Sequence, residues 1–329
     1  MVSLPTGKSI SDYQEDGFRP TDSRRDLGAI ADLIELCFQD TMDAEGKGYL
    51  RQLREAARYG WLASWTSSFF EEGVYPLMSG YVWIADHRLV GNLSLFPFNS
   101  AGRKCVLIAN VAVHPDFRGR GIATELTHQA IEYARRQRVF AAWLQVRDDN
   151  PPALHLYNKL GFKERASRTT WATTAGRVQI PDTRTYVLGG RDSTHWPLQK
   201  AWLERLYPAE LSWHLPVNWR ALRPGLQGSL FRFFALNYPR HWAIQRNGDM
   251  LGVLTWLQTP GYTDPLLLAT PADLDEQAIQ ILLASARRQL PSRRKMTLNL
   301  PSAFANSPLQ AAGFIPQQTL IWMESRLLF

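Results

Sequence analysis

The sequence predicts an α/β (α+β) protein built of two similar units in tandem, the second degenerate. Three observations carry this. Strand-like apolar runs alternate with segments of helical period along the 329 residues. A strand, a basic glycine loop and a helix adjoin between Val111 and Thr124. Two short segments recur at one offset, 152: Ala134-Arg-Arg-Gln137 returns as Ala286-Arg-Arg-Gln289, and Gly161-Phe162 as Gly313-Phe314.

Taken in order, residues 1–16 read as a loose tail. Their Gly7-Lys8-Ser9 lacks the earlier glycine and the preceding strand of a phosphate loop. Gly17–Pro20 is a short strand. Leu27, Ile30, Leu33, Ile34 and Cys37 place a helix over 26–38, and 50–59 is a second helix rich in Arg and Ala. The aromatic stretch 61–72 holds Trp61, Trp65, Phe69, Phe70, Glu71 and Glu72. Tyr81–Asp86 and Leu89–Phe96 alternate as a hairpin. Cys105–Val113 is a buried strand that Pro115 ends. Ile122, Leu126, Ala130 and Ala134 share one face of the next helix. Ala141–Val146 is a strand, Pro152–Leu160 a helix, and Ser167–Thr174 and Arg184–Leu188 are closing strands. Gly189-Gly190-Arg-Asp-Ser-Thr is a linker by composition.

The junction at Val111–Thr124 has a physical use. The first N–H groups of a helix lack internal partners, and the helix dipole adds positive potential there. Gly119 and Gly121 let the backbone approach a ligand closely, and Arg118 and Arg120 add charge. Together they form a socket for phosphate or pyrophosphate. The spacing is neither the dinucleotide fingerprint nor a nucleoside-triphosphate loop.

This stretch resembles the coenzyme A signature of the GNAT acyltransferase superfamily, Arg/Gln-x-x-Gly-x-Gly/Ala after a strand and a His-Pro turn. Asn150-Pro-Pro-Ala-Leu-His-Leu-Tyr157-Asn-Lys-Leu-Gly161-Phe162 looks like the family's asparagine, tyrosine and Gly-Phe segment. The resemblance implies tandem GNAT-like domains, each a mixed, mostly antiparallel sheet flanked by helices. The implied organisation is a tail over 1–16, an acetyl-CoA-binding GNAT domain over 17–188, a linker over 189–196 and a degenerate copy over 197–329. The tandem layout resembles the mycothiol synthase-like proteins. By resemblance, acetyl-CoA is the co-substrate: Val111, Ala112 and Val113 line its pantetheine arm. Its pyrophosphate sits on Arg118, Gly119, Arg120, Gly121, Ile122, Ala123 and Thr124. Asn150 contacts the coenzyme, and Tyr157 is the general acid. Each of the last two has a rival reading: Asn150 starts a turn and helix, and Tyr157 is a core tyrosine.

The second copy keeps the helix and loses the socket. Its counterpart, Leu268-Ala-Thr-Pro-Ala-Asp273-Leu-Asp275-Glu276-Gln277, has no glycine and three acids. Asp275 is a good N-cap, and the position matching Tyr157 is Leu309. The aromatics Trp196, Trp202, Trp213, Trp219, Phe231, Phe233, Phe234 and Tyr238 read as core and contact groups.

Composition narrows the function classes. Hydrophobic residues make up 45% and charged residues 20%, as in an ordinary globular protein. No apolar run approaches membrane-spanning length. Cys37 and Cys105 alone make neither a disulfide framework nor a cysteine metal site, so no metal and a cytoplasmic location are expected. A net charge of +7 suits a polyanion such as coenzyme A; the arginines are too scattered for a nucleic-acid surface. The implied reaction is direct acetyl transfer, in a ternary complex, to a primary amine of an unidentified small molecule or peptide. Many family members carry a glutamate base where this chain has Ala109 and Asn110. Glu71, Glu72, Asp40 and Asp43 are the nearest alternatives in sequence. That departure leaves a second reading open, a non-catalytic coenzyme A-binding sensor or interaction protein. A second unit built into the chain favours a monomer.

Overall fold

The computed structural model describes residues 16–59, 79–100, 102–176, 178–213, 215, 217, 219, 221–225, 239–259, 263–290 and 294–327. The chain opens with β1 (Gly17–Pro20), α1 (Leu27–Phe38) and α2 (Ala44–Tyr59). The helical period of α1 turns Leu27, Ile30, Leu33 and Ile34 into a core shared with Leu50 and Leu53 of α2. Helix α2 starts at Ala44 rather than Leu50. Asp43 nucleates it by accepting the Gly46 N–H at 2.8 Å, and Gly46 and Gly48 mask that first turn from a propensity reading.

β2 (Ser79–Ala85) and β3 (Arg88–Ser100) form the expected hairpin. Its turn residues Asp86 and His87 both have positive φ, 50° and 57°, as a two-residue type I′ turn requires. β4 (Arg103–Val113) runs antiparallel to β3 and leads through a 3₁₀ turn, Pro115–Phe117, into α3 (Ile122–Arg136). β5 (Ala141–Arg147) returns parallel to β4, as a crossover helix dictates, and α4 (Pro151–Lys159) follows.

The chain divides into two units. The first holds residues 1–146, 150–163 and 323–329. Its strands lie in the order β1-β2-β3-β4-β5, antiparallel throughout except for β4 and β5. Helices α1 and α3 pack on this mixed sheet.

The second unit holds residues 147–149 and 164–322. It takes in most of β6 (Lys163–Thr173), then β7 (Val187–Gly189), α5 (Trp196–Leu206), β8 (Arg240–Arg246), β9 (Asp249–Trp256) and β10 (Thr263–Ala269). It continues with α6 (Glu276–Gln289), β11 (Lys295–Pro301), α7 (Asn306–Ala311) and most of β12 (Phe314–Arg326). The strand order is β12-β6-β11-β10-β9-β8-β7. The two strands expected to close the first domain therefore fall in the second unit, β6 antiparallel to β11 and β7 to β8. Long-range contacts draw β6 there. Trp171 is buried in the second core, and Arg168 donates to the Asn299 side chain and carbonyl and to the Leu206 carbonyl. Trp196, Trp202 and Trp219 pack against the same core; Phe231, Phe233, Phe234 and Tyr238 lie outside the described residues.

The repeat holds at the level of single residues. The order β2-β3-β4-α3-β5-α4-β6 recurs as β8-β9-β10-α6-β11-α7-β12. Asn247 and Gly248 make the same positive-φ turn as Asp86 and His87, and Gly161 and Gly313 both leave a helix with positive φ. Gly91 and Gly252 both lie where a helix touches the sheet. A Cβ on Gly91 would stand 2.8 Å from the Trp83 Cβ and 2.9 Å from the Ile122 Cγ2. Gly91→Ala is expected to cost about 1–3 kcal/mol by overpacking, measured as a lower urea midpoint at unchanged slope. Gly252→Ala, whose nearest neighbour is the Leu282 Cδ1 at 3.0 Å, is expected to cost less.

Candidate functional site

The site begins with an irregularity in β4. Asn92 faces Ala112 and Ser94 faces Ala109, so Leu93 alone opposes Asn110 and Val111. This is a β-bulge, with Asn110 in the left-handed region at φ 53°, where asparagine is tolerated. The parallel pairing of β4 with β5 ends at Ile108 and Leu144, yet β4 runs on to Val113. Residues 109–113 thus face that side without a β5 partner; there the Val113 carbonyl accepts from Arg118 Nε and Cys37 Sγ, while Val111 has no partner in either ladder. Val111, Ala112 and Val113 are brought together on this stretch.

The chain then enters α3 through the basic loop. The His114 Nδ1 accepts the Asp116 N–H at 3.3 Å, which makes it a turn residue. Arg118 Nε donates to the Val113 carbonyl at 3.2 Å, and Arg120 donates to the Asp116 carbonyl at 3.0 Å while lying over the Phe117 ring. These bonds clamp the loop and leave both guanidinium groups exposed. Gly119 and Gly121 have φ of 76° and 79°, and a Cβ on either would meet nothing within 4 Å. Gly121 is the N-cap of α3 and supplies no side-chain bond. The first intrahelical donor is Glu125, to the Gly121 carbonyl. The N–H groups of Ile122, Ala123 and Thr124 are therefore the orphan donors of this terminus. An anion fits where those donors and the open glycine faces converge.

Asn150 caps α4: its Oδ1 accepts the Ala153 N–H at 3.3 Å, with Pro151 at the first helical position. The turn-and-helix reading of Asn150 is realised, and its amide N–H₂ stays on an exposed residue. Tyr157 is 7% exposed and packs edge-on to Phe162, ring centroids 6.0 Å apart. Burial pushes its phenol up to about 12.

At the bulge lies a polar cluster that sequence reasoning missed. Asn110 Nδ2 donates to the Tyr49 hydroxyl at 3.1 Å and to Ser94 Oγ at 3.3 Å; Asn92 Nδ2 donates to the Asn110 carbonyl at 2.9 Å. Burial pushes Tyr49 up to about 12, against hydrogen bonds from Asn110 and Ser94 that act the other way. No periodicity in α2 singles Tyr49 out; only the fold brings it to a residue 61 positions away. Of the alternative bases, Asp43 is engaged as the α2 cap and Asp40 is exposed, while Glu71 and Glu72, with Trp61, Trp65, Phe69 and Phe70, lie outside the described residues. A cleft of about 320 Å³ between α1 and α2, lined by Lys47, Arg51, Arg54 and Arg58 among others, lies on the face of α2 away from Tyr49.

The raised phenols predict a pH dependence of stability. A tyrosine whose folded pKa lies above its unfolded value favours the folded state most below about 10, the unfolded value. That contribution is lost as pH rises towards 12, the folded value of Tyr49, Tyr157 and Tyr207. Urea unfolding is expected to give a plateau up to about pH 9 and a fall between pH 10 and 12.

In the second unit the corresponding places are filled by the chain itself. The pairing of β9 with β10 runs without a bulge from Leu266 to Ala269. The Leu268 N–H donates to the buried Tyr207 hydroxyl at 3.2 Å. Arg205 of α5 donates to the carbonyls of Thr270 and Pro271. The α6 N-terminus is capped by Asp275, which accepts the Ala278 N–H at 2.8 Å and pairs with Arg246 at 2.9 Å; Tyr186 also donates to it. A built-in carboxylate stands where a ligand phosphate would. Leu309 is fully buried.

The bulged strand, the open glycine loop and the helix N-terminus without a side-chain cap together form a candidate anion-binding site. Residues 47–162 match the Acetyltransferase (GNAT) family. An uncharacterized N-acetyltransferase of Methanocaldococcus jannaschii is 38% identical over 82 residues, 24% of this chain and 35% of that protein. Mycothiol acetyltransferase of Saccharomonospora viridis is 30% identical over 114 residues, 35% of each chain. The matched stretch thus spans about a third of either relative. A tandem GNAT protein from the clavulanic acid biosynthesis pathway superposes over 96% of this chain and 99% of its own, with a TM-score of 0.51 at 17% identity, which shows a shared fold. Among the described residues no helix is long and apolar enough to cross a membrane.

Proposed function

We propose that the first unit is an acetyl-CoA-dependent N-acetyltransferase that transfers the acetyl group directly to a primary amine in a ternary complex. One observation carries the proposal: an uncapped α3 N-terminus, entered through two positive-φ glycines, adjoins a bulged and unpaired end of β4. The pyrophosphate of acetyl-CoA binds the N–H groups of Gly119 to Thr124, with Arg118 and Arg120 adding charge. The pantetheine arm pairs with Val111, Ala112 and Val113, and the Asn150 amide contacts the coenzyme beside α4. The amine nitrogen attacks the thioester carbon, the carbonyl oxygen takes negative charge, and the Val111 N–H donates to it. The carbon–sulfur bond then breaks, and Tyr157 donates a hydrogen bond or its proton to the leaving thiolate. A phenol near 12 is a weaker acid than an ordinary thiol near 8.5, so stabilising the thiolate by a hydrogen bond is the larger part of that role. The amine proton departs to water, since neither Ala109 nor Asn110 can take it.

The second unit binds no coenzyme, because Tyr207, Arg205 and Asp275 already satisfy the groups that would hold it. Its role is structural, and β6 and β7, the strands expected to close the first domain, belong to its own sheet. Mycothiol acetyltransferase and the ribosomal protein bS18-alanine N-acetyltransferases among the relatives favour small-molecule and peptide amines respectively as acceptors to screen. Release of free thiol from acetyl-CoA in the presence of such amines tests the proposal. Binding of acetyl-CoA with no thiol release on any amine would favour the sensor reading instead.

A further inference from the structure

We infer that Asn92 is a positioning residue that aims the Val111 N–H at the acyl oxygen; the inference rests on the acetyl-transfer reading above. Asn92 is fully buried on β3. Its Nδ2 donates to the Asn110 carbonyl at 2.9 Å and to Ser94 Oγ at 3.4 Å, while its Oδ1 is buried without a hydrogen-bond partner among the described residues. A buried amide left half satisfied is costly, so the bond it does make has to be specific.

That bond fixes a peptide plane. The Asn110–Val111 peptide is trans, so its C=O and N–H point in opposite directions. Asn92 holds the C=O, which sends the Val111 N–H away from Asn92. Val111 has no register partner on β3 and none on β5, so nothing else in the ladders fixes that direction. Asn110, at φ 53°, holds a conformation that costs energy, and its side chain is tied to Tyr49 and Ser94. The bulge is thus held on both sides of one peptide: Asn110 by its side chain, and the carbonyl by Asn92.

The test needs no acceptor. Acetyl-CoA carrying ¹³C at the thioester carbonyl is bound to the wild type, and the infrared stretch of that carbonyl is compared with its value in an aprotic solvent. A displacement to lower frequency is expected from the Val111 N–H. In Asn92→Leu, calorimetry is expected to give the wild-type dissociation constant within twofold, with the displacement reduced to less than half. Asn92→Asp keeps the shape and serves should the leucine variant fail to fold. Its carboxyl donates to the Asn110 carbonyl only when protonated, so its displacement is expected near the wild-type value at pH 5 and lost at pH 8. An undiminished displacement in the variant, or one unchanged with pH in Asn92→Asp, overturns the inference alone. Failure of the wild type to bind acetyl-CoA overturns the underlying reading as well.

Discussion

Gly121→Glu is expected to weaken acetyl-CoA binding by more than 100-fold and to abolish turnover. Two effects act together. Gly121 has φ 79°, and a residue with a Cβ costs about 1–2 kcal/mol there. The larger effect is charge. The new side chain starts from a Cα with no atom within 4 Å of its Cβ, so it extends into the space the orphan donors face. A carboxylate there caps α3 internally, as Asp275 caps α6, and repels the incoming pyrophosphate. Gly121→Ala separates the two: it carries the backbone strain, a cost of about 1–2 kcal/mol to the folded chain with or without ligand, but not the charge, and is expected to weaken binding far less than Gly121→Glu. Calorimetric titration of both variants measures the difference. Equal losses in the two would assign the whole effect to the backbone.

Tyr157→Phe is expected to lower kcat by about 100-fold or more while leaving the acetyl-CoA dissociation constant within twofold. The ring is buried against Phe162, and phenylalanine keeps that packing. The hydroxyl has no hydrogen-bond partner among the described residues, so its removal leaves no buried group unpaired and stability is expected to be unchanged or slightly raised. Because burial holds this phenol near 12, it stays protonated across the working range. A pH–rate profile of the wild type is expected to show no loss of activity from Tyr157 ionisation below about pH 11. A variant that retains full kcat would return Tyr157 to the role of a core residue.

The strand–loop–helix at Val111–Thr124 was legible because its signals are local: an apolar run, a proline stop, two glycines and a helical period. The repeat was legible for the same reason, since Gly161 and Gly313 each mark a positive-φ exit from a helix. What stayed hidden depends on distant pairing. Nothing within 163–173 reveals that Trp171 pairs with Leu298, or that Arg168 needs Asn299. A strand's partner is set by hydrogen bonds across the fold and not by its own pattern. The Tyr49–Asn110–Ser94–Asn92 cluster was invisible for a related reason. It joins α2, β3 and β4 around a bulge, and a bulge leaves the alternation of β4 only slightly disturbed. Asn150 carried two readings because an asparagine before proline satisfies a helix cap and a family motif with the same atoms.

The central claim is a single coenzyme site, in the first unit. Calorimetric titration of acetyl-CoA into the intact wild-type chain tests it most directly. One molecule bound per chain, with no residual binding in Gly121→Glu, is the predicted result. Two molecules per chain, or binding that survives that substitution, would contradict it and place a working site behind Tyr207 and Asp275.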